Sequence, residues 1–285
     1  MNNHIPVLLE RVLETLGDIS GVDIVDATFG AGGYSRAFLE RGANVTAFDR
    51  DSSVQKFADE LKSEFGERFH FINDKFSNIA SHVQQSTNIV FDFGISSMQI
   101  DTPERGFSWR FDAPLDMRME NSDGVTCIEF IKNSTVPQIA SVLRDYGDIK
   151  KAGIIAHAIK EKLPKTTFEL RDLIYTPRDV APVFQALRIA VNDELREIER
   201  ALNSVPNLLN DWGKCICVTF HSLEDRLVKQ KFKELTTPIG DPRMPQLPAG
   251  FQSLKTYRPD EEEIAENPRS RSSHLRAIQK NSTIA

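Results

Sequence analysis

Val22-Asp23-Ile24-Val25-Asp26-Ala27-Thr28-Phe29-Gly30-Ala31-Gly32-Gly33-Tyr34-Ser35 is the stretch whose reading decides the fold. A short β-branched run ends in an acid, passes through a glycine-rich turn and enters Arg36-Ala37-Phe38-Leu39-Glu40, which has helix-forming composition. Open α/β sheets hold nucleotide-like cofactors on this order of strand, turn and helix, because glycine takes positive φ and admits a ligand where a Cβ would collide. A turn built only for tight packing reads the same way, so the next acid matters. Asn44-Val45-Thr46-Ala47-Phe48-Asp49 reads as the second strand, and its terminal carboxylate lies near the roughly 20-residue spacing at which an acid reaches ribose hydroxyls.

Two cofactor classes use this arrangement. A dinucleotide needs G-x-G-x-x-G/A, and the frame Gly30-x-Gly32-x-x-Ser35 lacks the third small apolar residue. S-adenosylmethionine has no pyrophosphate and carries a positive charge, which suits the acid-tipped strand ends Asp26, Asp49 and Asp92. The loop favours S-adenosylmethionine.

Working outward, Leu9, Val12, Leu13 and Leu16 have helical spacing after an entry segment from His4, and Ser52 to Phe65 is a second periodic helix. Arg68 to Ile72 and Asn88 to Gly94 read as further strands. The alternation predicts a doubly wound α/β sheet with its ligand above the carboxyl ends of the strands. Phe76, just past the third strand, is either core or a surface for an adenine face. From Arg105 strand-like alternation stops, and short helical patterns broken by Pro114, Pro137, Pro164, Pro177 and Pro182 follow. Residues 105–195 are therefore expected as a helical insertion, between sheet-domain segments 1–104 and 196–285. Thr166-Thr167-Phe168-Glu169 should start one helix, and Phe184 to Leu202 should be the longest. On that helix Gln185, Arg188 and Asn192 form a polar stripe, either solvated or suited to phosphate and base edges. Lys214 to Phe220 resumes the sheet and delivers His221-Ser222-Leu223-Glu224-Asp225-Arg226, with a helix from about Leu223. Thr237 to Pro259 reads as loop, Asp260 to Glu263 as an acidic turn, and the chain beyond the basic segment Asn267 to Arg276 as a last strand or tail.

Composition narrows the classes. With 285 residues the chain can bury a full core, and a net charge of −6 argues against a surface given over wholly to nucleic acid while leaving room for local basic patches. No apolar run approaches the ~18 residues of a membrane helix, and Met1 to Pro6 lacks the features of a secretory signal, so a cytoplasmic protein with no membrane partner is expected. Cys127, Cys215 and Cys217 form no C-x-x-C pair, which argues against disulfides and a zinc site, and no metal is expected. His221, Ser222 and Asp225 invite a hydrolase reading, but sequence neighbours rarely build a triad and no G-x-S-x-G elbow is present. Met119 to Phe130 fails as a calcium loop at both end positions.

Several blocks together resemble one family. They are Asp26-Ala27-Thr28-Phe29-Gly30-Ala31-Gly32-Gly33, Phe93-Gly94-Ile95-Ser96-Ser97-Met98-Gln99, Arg105-Gly106-Phe107-Ser108, Leu115-Asp116-Met117-Arg118-Met119, Phe184-Gln185-Ala186-Leu187-Arg188-Ile189, Phe220 to Arg226, and Asn267-Pro268-Arg269-Ser270-Arg271-Ser272. In this order they look like the bacterial 16S ribosomal RNA cytosine N4-methyltransferases of the small subunit. The resemblance implies a Rossmann-like methyltransferase sheet with a helical insertion for substrate, S-adenosylmethionine as donor, and the exocyclic amine of a cytidine in the decoding (P-site) region of 16S rRNA as acceptor. Carried over by motif, the cofactor contacts are Gly32, Gly33, Tyr34, Asp49, Phe76, Asp92 and Gln99. The residues expected to contact substrate are Arg118, Gln185, Arg188, Asn192, Ser222, Arg269 and Arg271. This chain has Tyr34 where the family commonly has His, Met98 where it has Pro, and Ile149 where it has an acid.

Transfer to N4 needs acceptors for the amine's protons, and Asp92, Ser96 and His221 are the catalytic candidates. Alternatives are a donor-binding, RNA-associated factor without strong catalysis, or a small-molecule methyltransferase. A homodimer is compatible with the sequence, and both free RNA and the assembled small subunit are compatible substrates.

Overall fold

The computed structural model describes residues 6–239 and 249–282. Two compact units separate in it, one running to Gly94 and resuming at Leu195, the other spanning Ile95–Glu194.

The first unit alternates α1 (Leu9–Leu16), β1 (Asp23–Asp26), α2 (Gly33–Glu40), β2 (Asn44–Phe48), α3 (Gln55–Phe65), β3 (Phe69–Ile72), α4 (Ile79–His82) and β4 (Ser86–Asp92). Its sheet has the order β3-β2-β1-β4-β5-β7-β6 once β5 (Leu209–Thr219), β6 (Phe251–Ser253) and β7 (His274–Lys280) are counted. β1 and β4 are central, and their apolar runs Ile24–Val25 and Ile89–Phe91 are buried because parallel strands are covered on both faces. The strand order reverses between β1 and β4, so the crevice above Asp26 and Asp92 is the topological switch point at which such sheets hold ligands.

The second unit carries α5 (Ser97–Asp101), α6 (Cys127–Asn133), α7 (Val136–Gly147), α8 (Ala152–Lys162), α9 (Thr167–Asp172) and α10 (Val180–Asn192) around Leu115, Met117, Ile139, Leu143, Ile155 and Leu187. Thr166 caps α9 as expected, its hydroxyl accepting the Glu169 amide at 3.2 Å. This unit begins at Ile95, ahead of the change in sequence pattern at Arg105. Ile95 packs on its core and Gln99 Nε2 donates to the Met119 carbonyl, contacts that no local pattern announces.

Three expectations need correction. The single helix from Phe184 to Leu202 is two, α10 and α11 (Glu194–Leu208), parted by Asp193 at φ +52°. A residue in the left-handed region ends a helix, and Asp reaches it more readily than most, without the glycine or proline that would flag the break. Beyond β5 (Leu209–Thr219) and α12 (Ser222–Thr236), the region read as loop contains β6 (Phe251–Ser253), too short to show alternation, while residues 240–248 lie outside the described residues. The acidic turn is a helix, α13 (Glu261–Glu266), capped by Asp260 accepting the Glu263 amide at 3.0 Å. The last segment is a strand, β7 (His274–Lys280), antiparallel to both β5 and β6, so the parallel sheet ends in an antiparallel edge.

Candidate active site

The glycine turn is held from both sides by carboxylates. Asp26, fully buried at the end of β1, accepts the Thr28 amide at 3.2 Å on one oxygen and the Ser35 hydroxyl at 2.6 Å on the other. Its side chain thus spans the turn from strand to helix. Ser35, a misfit for a dinucleotide loop, is the buried donor that ties α2 to β1. Asp49 at the end of β2 accepts the Gly30 amide at 2.7 Å and the Asp51 amide at 2.9 Å. Gly30 (φ +55°) and Gly32 (φ +80°) take left-handed conformations, and a Cβ on Gly32 would stand 2.9 Å from the Phe29 ring. Above Gly30 there is open space: a Cβ there would meet nothing within 4 Å.

A third acid completes the crevice. Asp92 ends β4, and its amide donates to Thr28 Oγ1 at 2.7 Å, which links the two central strand ends. Its Oδ1 is buried and accepts no hydrogen bond. Burial, then the charges of Asp26 and Glu224, push the Asp92 carboxyl well above the usual carboxylate range. Burial likewise lifts Asp26 and Asp49 to about 6, against the lowering pull of their hydrogen bonds. Three acids whose charged forms burial disfavours, gathered at neighbouring strand ends, form a site that gains from a cation.

His221 and Glu224 close the end of β5. The Glu224 carboxylate, fully buried, accepts the Phe220 amide at 2.7 Å and the His221 amide at 3.2 Å, while the Glu224 amide donates to His221 Nδ1 at 3.4 Å. The imidazole is thus the N-cap of α12, in the place a Ser or Asp usually takes. His221 Nε2 lies 3.0 Å from Glu224 Oε1 but is not aligned for a hydrogen bond, and it too is buried without one. Glu224, one of the two acids that follow His221 in the sequence, takes a role that no local pattern assigns it; its signal is the three-residue spacing of a capping box, masked by a histidine in the cap position.

The other expected residues divide between the units. In the first, Gly32 and Gly33 form the turn, and Phe76 packs its half-buried ring against Phe91 and Phe93 with centroids 6.0 and 5.7 Å away. Tyr34 is buried, and its hydroxyl donates to the Val7 carbonyl, which leaves its backbone rather than its phenol to a ligand at the turn. Ser222, Arg269 and Arg271 are exposed, the arginines on a short helical turn whose first amide is capped by Asn267 at 3.2 Å. Asp225 grips Arg276 with both oxygens at 2.7 and 2.9 Å, so it is no triad acid. In the second unit Ser96 and Gln99 cap α5 reciprocally. Arg118 pairs with Asp116 at 2.8 Å and Arg188 with Glu194 at 2.8 Å. Gln185 donates to the Tyr146 carbonyl at 3.3 Å. Asn192 is buried, accepting the Met119 amide and donating to the Met117 carbonyl. The polar stripe on α10 is therefore turned toward the unit's own backbone and a neighbouring acid rather than left solvated, because unfilled carbonyls of irregular segments outcompete water for its donors.

A sequence model of the MraW methylase family matches residues 1–281. The chain belongs to that family. Curated relatives include the ribosomal RNA small subunit methyltransferase H of Wolbachia pipientis subsp. Culex pipiens, 42% identical over 97% of this chain and 99% of its own length. The protein of that name in Caulobacter sp. strain K31 is 43% identical over 96% and 92%. Among solved structures an rRNA methylase from Streptococcus thermophilus covers 96% of this chain and 94% of its own at 13% identity and a TM-score of 0.44. The family resemblance drawn from the motifs thus extends over the chain. Among the described residues no helix is long and apolar enough to cross a membrane.

Proposed function

We propose that this protein transfers the methyl group of S-adenosylmethionine to the N4 amine of a cytidine in the decoding region of 16S rRNA. The observation that carries the donor assignment is the unpartnered, buried Asp92 Oδ1 beside Asp26 and the open side of Gly30. A buried acceptor with no donor costs about 1–3 kcal/mol and marks a place made for a ligand. The residues fit this donor: Asp49 stands at the end of β2 to take the ribose hydroxyls, Phe76 offers a half-exposed ring to the adenine, and the strand-end acids favour the sulfonium and ammonium charges.

When bound, S-adenosylmethionine supplies an electrophilic methyl on sulfur. What the chain supplies is position and acceptors. The N4 lone pair is delocalised into the cytosine ring until acceptors draw on its protons, and holding the two partners in line can account for ~7 to 11 kcal/mol of the barrier. Asp92 Oδ1, a buried acceptor without a hydrogen bond at the carboxyl end of β4, would receive a hydrogen of the amine, while His221 at the end of the adjacent β5, whose Nδ1 accepts the Glu224 amide, would present its Nε2 proton to an acceptor on the base. With the donor bound, its methyl would pass from sulfur to N4, leaving a neutral thioether, and the surplus proton of N4 would leave to the Asp92 carboxylate. The relatives named ribosomal RNA small subunit methyltransferase H support an rRNA acceptor. Exposed Arg269 and Arg271 offer phosphate contacts.

The test is to incubate the protein with labelled donor and small subunits from a strain lacking the modification, then map the label. Label on one decoding-region cytidine N4 is expected. Donor binding without transfer would indicate an RNA-associated factor, and transfer to small molecules alone another class of enzyme; either overturns the proposal.

A further inference from the structure

The second unit carries an edge of exposed rings and cations that the donor site does not use. Residues 111–115 run antiparallel to 165–167: Thr167 Oγ1 donates to the Phe111 carbonyl at 2.6 Å, the Thr167 amide to Ala113 at 2.9 Å, and the Leu115 amide to Lys165 at 3.0 Å. This pairing brings Phe111, 51% exposed, beside the start of α9. There Phe168 is half-exposed and carries the Arg171 guanidinium over its ring, 3.8 Å from the centroid. Tyr175, just past α9, is 81% exposed.

The charges around the rings are unevenly committed. Asp112 accepts the Phe168 amide at 3.4 Å, Glu169 accepts the Lys165 amide at 2.6 Å, and Asp172 pairs with Arg171 at 2.9 Å. The exposed side chains of Arg110 and Lys165 have no acid within ion-pair distance among the described residues. Rings separated by polar groups, with uncommitted cations beside them, match a strand of unpaired bases with phosphates between, since bases stack on aromatic faces and on arginine planes.

We propose that Phe111, the Phe168–Arg171 stack and Tyr175 form a stacking platform for single-stranded RNA, with Arg110 and Lys165 taking phosphates. The proposal rests on the rRNA reading above and names the part of the acceptor that this unit holds. Because the acids at this edge offset part of its charge, its contribution to binding comes mainly from stacking and is less sensitive to salt than that of Arg269 and Arg271.

The full chain is titrated with fluorescent oligouridine at about 50 and about 200 mM salt. Phe111→Ala and Tyr175→Ala are each expected to weaken binding about tenfold at both salts. Phe168→Leu keeps bulk at the half-buried position but removes the π face, and is expected to behave likewise. Lys165→Ala should flatten the salt dependence. Donor affinity, measured on the same samples, stays at the wild-type value and shows that the fold is intact. Wild-type RNA affinity in the ring variants overturns the platform even if the protein methylates small subunits. So does a loss confined to assembled subunits with oligouridine binding retained, which would assign the edge to a protein partner. Absence of methylation by the wild type, with the ring variants still defective in RNA binding, would instead sink only the function proposed above.

Discussion

Asp49 Oδ2 accepts the Gly30 backbone amide at 2.7 Å, so the carboxylate that ends β2 also closes the glycine turn that follows β1. One side chain thus shapes the loop and, in the proposed site, would face the ligand. Asp49→Ala removes a charged acceptor from two hydroxyls as well as the loop closure. With ~1.5–3 kcal/mol per hydrogen bond to a charged group, donor affinity should fall at least about a hundredfold by calorimetry while far-ultraviolet circular dichroism is unchanged.

Donor affinity should depend on pH. Asp26 and Asp49 are lifted by burial to about 6, and binding a cation between them draws both toward the charged form. Affinity is therefore expected to be flat above about pH 7 and to fall as pH drops through about 6, with protons released on binding. Calorimetry near pH 6 in buffers of different ionisation heat measures the release; no buffer dependence would refute the cation-binding role of these acids.

The free protein should be stabilised by losing Asp92. Its raised carboxyl pKa means that the folded state holds its proton more tightly than the unfolded chain. Its favourable contribution is present below the unfolded value near 3.9 and is lost as pH rises through the folded one. Asp92→Asn removes the buried charge, so its gain over wild type should grow with pH in urea titrations, reaching about 1–3 kcal/mol, while turnover falls. Equal stability at all pH values would show that the site carries no such strain.

His221 caps α12 through Nδ1, and Asn is among the best capping residues. His221→Asn should keep stability within about 0.5 kcal/mol, whereas His221→Ala should cost ~1 kcal/mol. If His221→Asn also keeps full turnover at saturating donor and subunit, the imidazole is a cap alone and takes no part in holding the base.

Asn192 ties Met119 and Met117 to α10 from a buried position. Asn192→Ala leaves a buried amide and carbonyl without partners, and a stability loss of about 2 kcal/mol or more is expected in thermal melts. An unchanged midpoint would mean that water replaces it at no cost.

What the chain determined by itself is what depends on neighbours in sequence. Apolar periodicity and composition placed the strands through β4 and the helices α1, α2 and α3, Gly30 and Gly32 marked the turn, and Thr166 marked the start of α9, because propensity, positive φ and capping act within a few residues. Only the tertiary structure decided the rest. The break at Asp193, the antiparallel edge of β6 and β7, the Asp26–Ser35 bond, the Tyr34–Val7 contact and the unpartnered oxygen of Asp92 all depend on what long-range packing puts beside each group. A hydrogen bond or a buried charge is worth what its surroundings make it, and those surroundings come from residues far away in the chain.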